Sequence, residues 1–132
     1  MAFTIGKLAT DTGISKETIR YYHRIGLLPQ PERNESGYFQ YSHKHVEMLH
    51  FIKNTQNLGF TLKEIHWLMN LKHDPNASAK DVKQKTLEKI KEIENKVRTL
   101  VSIRKELEAV VGECDGACPL SECPILKKFD QS

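Results

Sequence analysis

From Ala79 to Val111 the chain runs without a glycine or a proline, and no other feature limits its fold so tightly. With neither backbone breaker present, one continuous helix over 79–111 is expected, about 45 to 50 Å long at 1.5 Å per residue. Ile90, Ile93, Val97, Leu100 and Leu107 fall at three- and four-residue steps along it, with Lys and Glu dense around them. That is the seam of a coiled coil, interrupted at Thr86 and Arg104. A lone rod has no core, so its apolar stripe calls for a second copy of the chain. An antiparallel homodimer holds two copies of whatever precedes the rod apart at its ends. The competing arrangement is a helix folded back on its own domain.

What precedes the rod reads as a compact head over 1–72, joined through the polar linker "HDPNAS". In "TIGKLATDTGISKETIRYYHRIGLL", Ile5, Leu8 and Ala9 share one helical face and Ile14, Ile19 and Tyr22 another, with Gly13 between them. Thr4 is placed to cap the first helix and Ser15 the second, which makes a helix-turn-helix. Gly26 closes the second helix. "LLPQPERNESGYFQYS", with two prolines, a Ser-Gly pair and the aromatics Tyr38 and Tyr41, suits a short two-stranded wing. Helical spacing resumes through Val46, Leu49, Phe51 and Ile52 and stops near Gly59. Thr61 and Glu64 then stand in capping-box spacing ahead of Ile65, Leu68, Met69 and Leu71. The fold class expected is mainly α: a winged helix-turn-helix, a long antiparallel dimerisation helix and a terminal loop.

A helix-turn-helix reads DNA by laying its second helix in the major groove, with the N-terminal residues toward base edges and phosphates. Here that helix carries Lys16, Thr18, Arg20 and Tyr21, with Lys16 and Arg20 on one face. A formal charge of +3 over 132 residues leans only mildly toward polyanions, so two basic residues alone fit a solvated surface better than a DNA contact.

Behind the rod, in 112–132, "ECDGACPLSECPILKKF" holds all three cysteines, Cys114, Cys118 and Cys123. No run approaches the roughly 18 apolar residues of a membrane span, and "MAFTIGKLATD" lacks the apolar region of a signal peptide, so a cytoplasmic chain with no membrane partner is expected. A reducing cytosol disfavours structural disulfides, and an odd number of thiols cannot all pair, so metal binding or redox chemistry is the better reading. Two thiolates suit Cu(I), Ag(I) or Au(I), whereas three or four ligands suit Zn(II). Cys118 is either a third ligand or a small apolar packing residue. No CxxC pair is present. His43, His45, His50, His66 and His73 all lie outside the loop, and His73, beside the linker, is the one to test as a ligand. No acid/base pair and no nucleophile with a positioned base is apparent, so an enzyme is not expected.

"TIRYYHRIGLLPQPERNESGYFQYS" from Thr18 to Ser42 and "LGFTLKEIHWL" from Leu58 to Leu68 resemble the N-terminal signature of the MerR family of bacterial transcription regulators. The resemblance implies a winged helix-turn-helix homodimer on double-stranded promoter DNA. It distorts the spacer so that RNA polymerase engages both promoter elements when the effector is bound. It places Lys16, Thr18, Arg20 and Tyr21 on the recognition helix and Arg33, Tyr38 and Tyr41 in the wing, where the family grips phosphates. Two departures stand out: "GYFQY" where the family usually has "GYRxY", and His23 where it usually has an acid.

The region from "DVKQKTLEKIKEIE" through "CPIL" is similar to the copper-efflux regulator branch, whose two loop ligands match Cys114 and Cys123. Here the loop is one residue longer and Cys118 is extra. Divalent sensors of the family add a partner cysteine at the start of the dimer helix, where this chain has Ser78 and Ala79. The resemblance therefore implies a Cu(I)-responsive activator that also takes Ag(I) or Au(I). The alternatives are a Zn(II), Cd(II) or Pb(II) sensor using all three thiols, a four-cysteine iron–sulfur branch that this chain falls one thiol short of, and a cytosolic metal buffer or chaperone.

Overall fold

The computed structural model describes residues 2–131, which divide into two compact units that meet between Val82 and Lys83. The elements in chain order are α1 (Ile5–Thr12), α2 (Lys16–Arg24), β1 (Glu32–Arg33), β2 (Phe39–Gln40), α3 (His43–Asn57), α4 (Leu62–Lys72), α5 (Ala79–Gly112), a 3-10 turn (Leu120–Glu122) and α6 (Pro124–Asp130).

In the first unit, side chains set the helix ends. Thr4 Oγ1 accepts from the Lys7 amide at 3.1 Å, and Ser15 Oγ accepts from the Thr18 amide at 3.1 Å, each satisfying a first-turn donor that the helix leaves unpaired. Between them Gly13 adopts φ 72°, and a Cβ there would sit 3.1 Å from Lys53 Nζ. Lys53 donates to the Thr12 carbonyl at 3.2 Å and pins this turn to α3. The left-handed backbone at position 13 favours glycine, which has no Cβ to strain it. At α4, Thr61 Oγ1 accepts from the Glu64 amide while Glu64 Oε1 accepts from the Thr61 amide at 2.9 Å, the reciprocal box its spacing predicts.

Leu8, Ile19, Leu28, Leu49, Ile52 and Ile65 form the centre of the head's core. α3 lies against both α1 and α4, so α2 is presented on a framework rather than alone. The wing is a two-stranded antiparallel ribbon with Glu32 opposite Gln40 and Arg33 opposite Phe39. Phe3 bridges to Tyr41, adding the N-terminal segment along its base.

In the second unit α5 carries its apolar residues outward: Leu87, Ile90, Ile93, Val97, Leu100, Ile103, Leu107 and Val111 are all exposed, Leu100 to 64%. Lys89 and Lys96 both pair with Glu92, and Arg104 pairs with Glu108. The Cys114 amide still bonds the Val111 carbonyl at 3.1 Å, so the first thiol hangs on the last turn of the rod. Gly116 turns the chain at φ 80°, and Pro124, tolerated at a helix start because it lacks an N–H, opens α6 directly behind Cys123. Among the described residues no helix is long and apolar enough to cross a membrane.

Candidate metal centre and nucleic-acid interface

Burial of Ile19 and Tyr22 turns the opposite face of α2 outward. Tyr22 also donates to Gln56 Oε1 at 3.3 Å, fixing the helix to α3. On the outward face Lys16, Arg20 and Tyr21 are exposed, and the Arg24 guanidinium lies 5.5 Å over the Tyr21 ring. Thr18 is half-buried, its hydroxyl 2.8 Å from that of Ser15, so it serves the helix cap as well as the surface. In the wing Arg33 is exposed on β1 and Tyr38 is 71% exposed at the turn.

Tyr41 departs from its expected place on the phosphate-gripping surface. It is 1% exposed, and its hydroxyl lies 2.8 Å from His23 Nε2. The bridge to Phe3 and the turn into α3 rotate its ring into the core, so it braces the wing from beneath. Two histidines share this brace. His23 lies between Tyr41 and the Leu28 carbonyl. His45 accepts the Ser42 amide at Nδ1 (3.2 Å) and donates from Nε2 to the Pro29 carbonyl (3.2 Å), a capping box with imidazole in the place of a carboxylate. The signal available was Ser42 followed three residues later by a side chain able to accept.

Burial lowers the pKa of His45, opposed by its bond to the Pro29 carbonyl and reinforced by nearby His23. A lowered folded-state value means the unfolded chain binds more protons in mild acid. Stability is therefore complete above the ordinary value of about 6.5 and lost as pH falls through the folded-state pKa. Trp67, the chain's single tryptophan, lies on α4 and reports unfolding of the head. Its denaturation midpoint should fall between about pH 8 and about pH 5, and His45→Gln should flatten that dependence.

The thiols of Cys114, Cys118 and Cys123 are all free and half-buried. Cys118 and Cys123 both bear on the ionisation of Cys114. The Gly116 amide favours its thiolate most strongly, but desolvation, the Cys118 bond and the charges of Cys118 and Cys123 together push the Cys114 thiol up. Cys123 is pushed down. The Leu126 amide does most of this, against desolvation and with help from the Ile125 amide and Cys114.

Soft sulfur donors suit a thiophilic ion. Among the described residues no group of three or more His, Cys, Asp or Glu is gathered as a metal holder. His73 ends α4 in the head, exposed. Glu113, Asp115 and Glu122 line the open cleft beside Cys114 and Cys118, leaving its rim acidic.

This architecture recurs in known proteins. The model of the MerR HTH family regulatory proteins matches residues 3–72, and a second model, MerR, DNA binding, matches residues 46–110. The chain is 44% identical over 127 residues to the mercuric resistance operon regulatory protein of Bacillus cereus, covering 96% of each. It is 38% identical over 122 residues to the HTH-type transcriptional regulator CueR of Salmonella typhi, covering 92% of this chain and 88% of that one. A transcription regulator of Ralstonia metallidurans, solved in complex with lead(II), superposes with a TM-score of 0.85 at 31% identity, covering 96% of this chain and 98% of that one. With its recognition helix, wing and long α5 in the family's order, the chain belongs to the MerR family of helix-turn-helix transcription regulators.

Proposed function

We propose that the protein is a metal-responsive activator that binds promoter DNA as a homodimer and holds a thiophilic ion, Cu(I) first and Ag(I) or Au(I) after it, between Cys114 and Cys123. One observation carries this reading. The chain's only thiols lie within ten positions at the end of α5, where two backbone amides, with help from Cys114, favour the Cys123 thiolate. A monovalent ion between two thiolates leaves one net negative charge, which those amides offset. A divalent ion that needs a third thiolate has none to draw on at Ser78 or Ala79, where α5 begins.

The exposed seam of α5 supports the dimer, and the basic face of α2 with Arg33 supports the DNA contact. Drawing two sulfurs onto one ion tightens the segment between α5 and α6 and re-seats α6. The bound dimer thereby shifts between two DNA geometries, of which RNA polymerase uses one.

Identity with the mercuric regulator favours a second reading, Hg(II), which two thiolates also satisfy. A Zn(II) site would enlist Cys118 as third ligand. Titrating each ion into the protein–promoter complex tests the proposal: Cu(I) should alter DNA distortion at nearly constant occupancy. Distortion unchanged at saturation, or a response to Zn(II) alone, would overturn it.

A further inference from the structure

Three side chains run from the recognition helix to the outside of the wing in unbroken contact. His23, on α2, has Nδ1 3.0 Å from the Leu28 carbonyl, which can only accept, so Nδ1 carries the proton. Nε2 is then the acceptor and the Tyr41 hydroxyl donates to it. The His23 ring stacks on Phe39, with centroids 6.4 Å apart and planes at 29°. Phe39 stands opposite Arg33 across the ribbon, and the Arg33 guanidinium lies 4.2 Å over the Phe39 ring while donating to the Gly37 carbonyl at 3.0 Å.

A two-residue ribbon has too little pairing to hold its own shape. Besides the Gly37 carbonyl, the direction of the Arg33 side chain therefore depends on what lies against Phe39: Tyr41 edge-on at 6.3 Å, and His23 of the recognition helix stacked on it. The two departures from the family signature, His23 and Phe39, prove to be one contact.

We propose that His23 is a positioning residue for DNA binding: through Phe39 it fixes the Arg33 guanidinium relative to α2, so that wing and recognition helix meet the duplex as one rigid reader. This rests on the reading of Arg33 as a phosphate contact. An aromatic face orients guanidinium without neutralising it, leaving its outward N–H groups for phosphate oxygens. Lysine at position 33 could not be held in the same way.

The test is a double-mutant cycle in DNA affinity across a salt series, on an operator duplex selected from a random pool with the wild-type protein. Thermal melts confirm that each variant is folded. Arg33→Ala in the wild-type background should weaken binding about tenfold and lower the salt slope by about one, as loss of one phosphate contact does. His23→Leu should reproduce most of that loss, and adding Arg33→Ala to it should cost less than about twofold more. His23→Gln, which keeps an acceptor for Tyr41 and a flat face for Phe39, should recover most of the affinity.

Phe39→Leu leaves the His23–Tyr41 bond in place and should behave like His23→Leu, which keeps the test decisive if the latter fails to fold. Equal cost of Arg33→Ala in both backgrounds, or wild-type affinity in folded His23→Leu or Phe39→Leu, overturns the proposal. Wild-type affinity of Arg33→Ala alone overturns the Arg33 contact, and the coupling with it.

Discussion

Cys123→Ser should weaken binding of a thiophilic ion by more than about 100-fold, beyond the loss expected from disturbing an outer-shell partner, and should abolish the transcriptional response. The thiol removed is the one that the Leu126 and Ile125 amides hold toward its thiolate. A serine hydroxyl stays protonated at neutral pH and is a hard donor, so it replaces neither the charge nor the polarizability. Cys114→Ser should do the same, because it removes the other sulfur of the proposed pair. Cys118→Ser should change affinity only a few-fold, as it leaves the Cys114–Cys123 pair intact. Metal affinity by competition with a chelator of known strength, beside a reporter assay, checks all three. Survival of tight binding in Cys123→Ser would place the ion elsewhere.

Leu100→Asp should have the other large effect. Leu100 lies in the middle of the exposed seam of α5, between Val97 and Ile103. In a paired rod each copy buries this leucine, worth about 1.5–3 kcal/mol when fully covered. An aspartate there adds the cost of taking an unpaired carboxylate out of water, once in each copy. Dimerisation should fail, the sedimenting species should have the 15.2 kDa mass of one chain, and operator affinity should fall by about 100-fold or more, because one head holds one half-site without the gain from a linked second. The head is expected to remain folded, since its core draws on residues from Leu8 to Met69. A folded Leu100→Asp variant that still sediments as a dimer would remove α5 as the interface.

What could be read in advance follows the range of the forces involved. Thr4, Ser15 and the Thr61–Glu64 box act within three residues, and each cap forms where its spacing places it. The long helix follows from the absence of glycine and proline and runs Ala79–Gly112. The wing is legible as a ribbon, but with two residues in each strand, alternation does not say which aromatic turns inward, and it is Tyr41 that does. His23 and Tyr41 are eighteen positions apart, and their bond exists only once the wing has folded back over α2. The thiol loop showed its donors plainly and its pairing not at all. The amides at Ile125 and Leu126 reach Cys123 only because Pro124 starts a helix there.

If two thiolates, Cys114 and Cys123, hold a monovalent ion without Cys118, anaerobic competitive binding of Cu(I) and Zn(II) to wild type and Cys118→Ser should show it. Tight Cu(I) binding should survive the substitution, with weak Zn(II) in both proteins. Loss of Cu(I) binding in Cys118→Ser, or a wild-type preference for Zn(II), would contradict it and make Cys118 a ligand of a three-thiolate site.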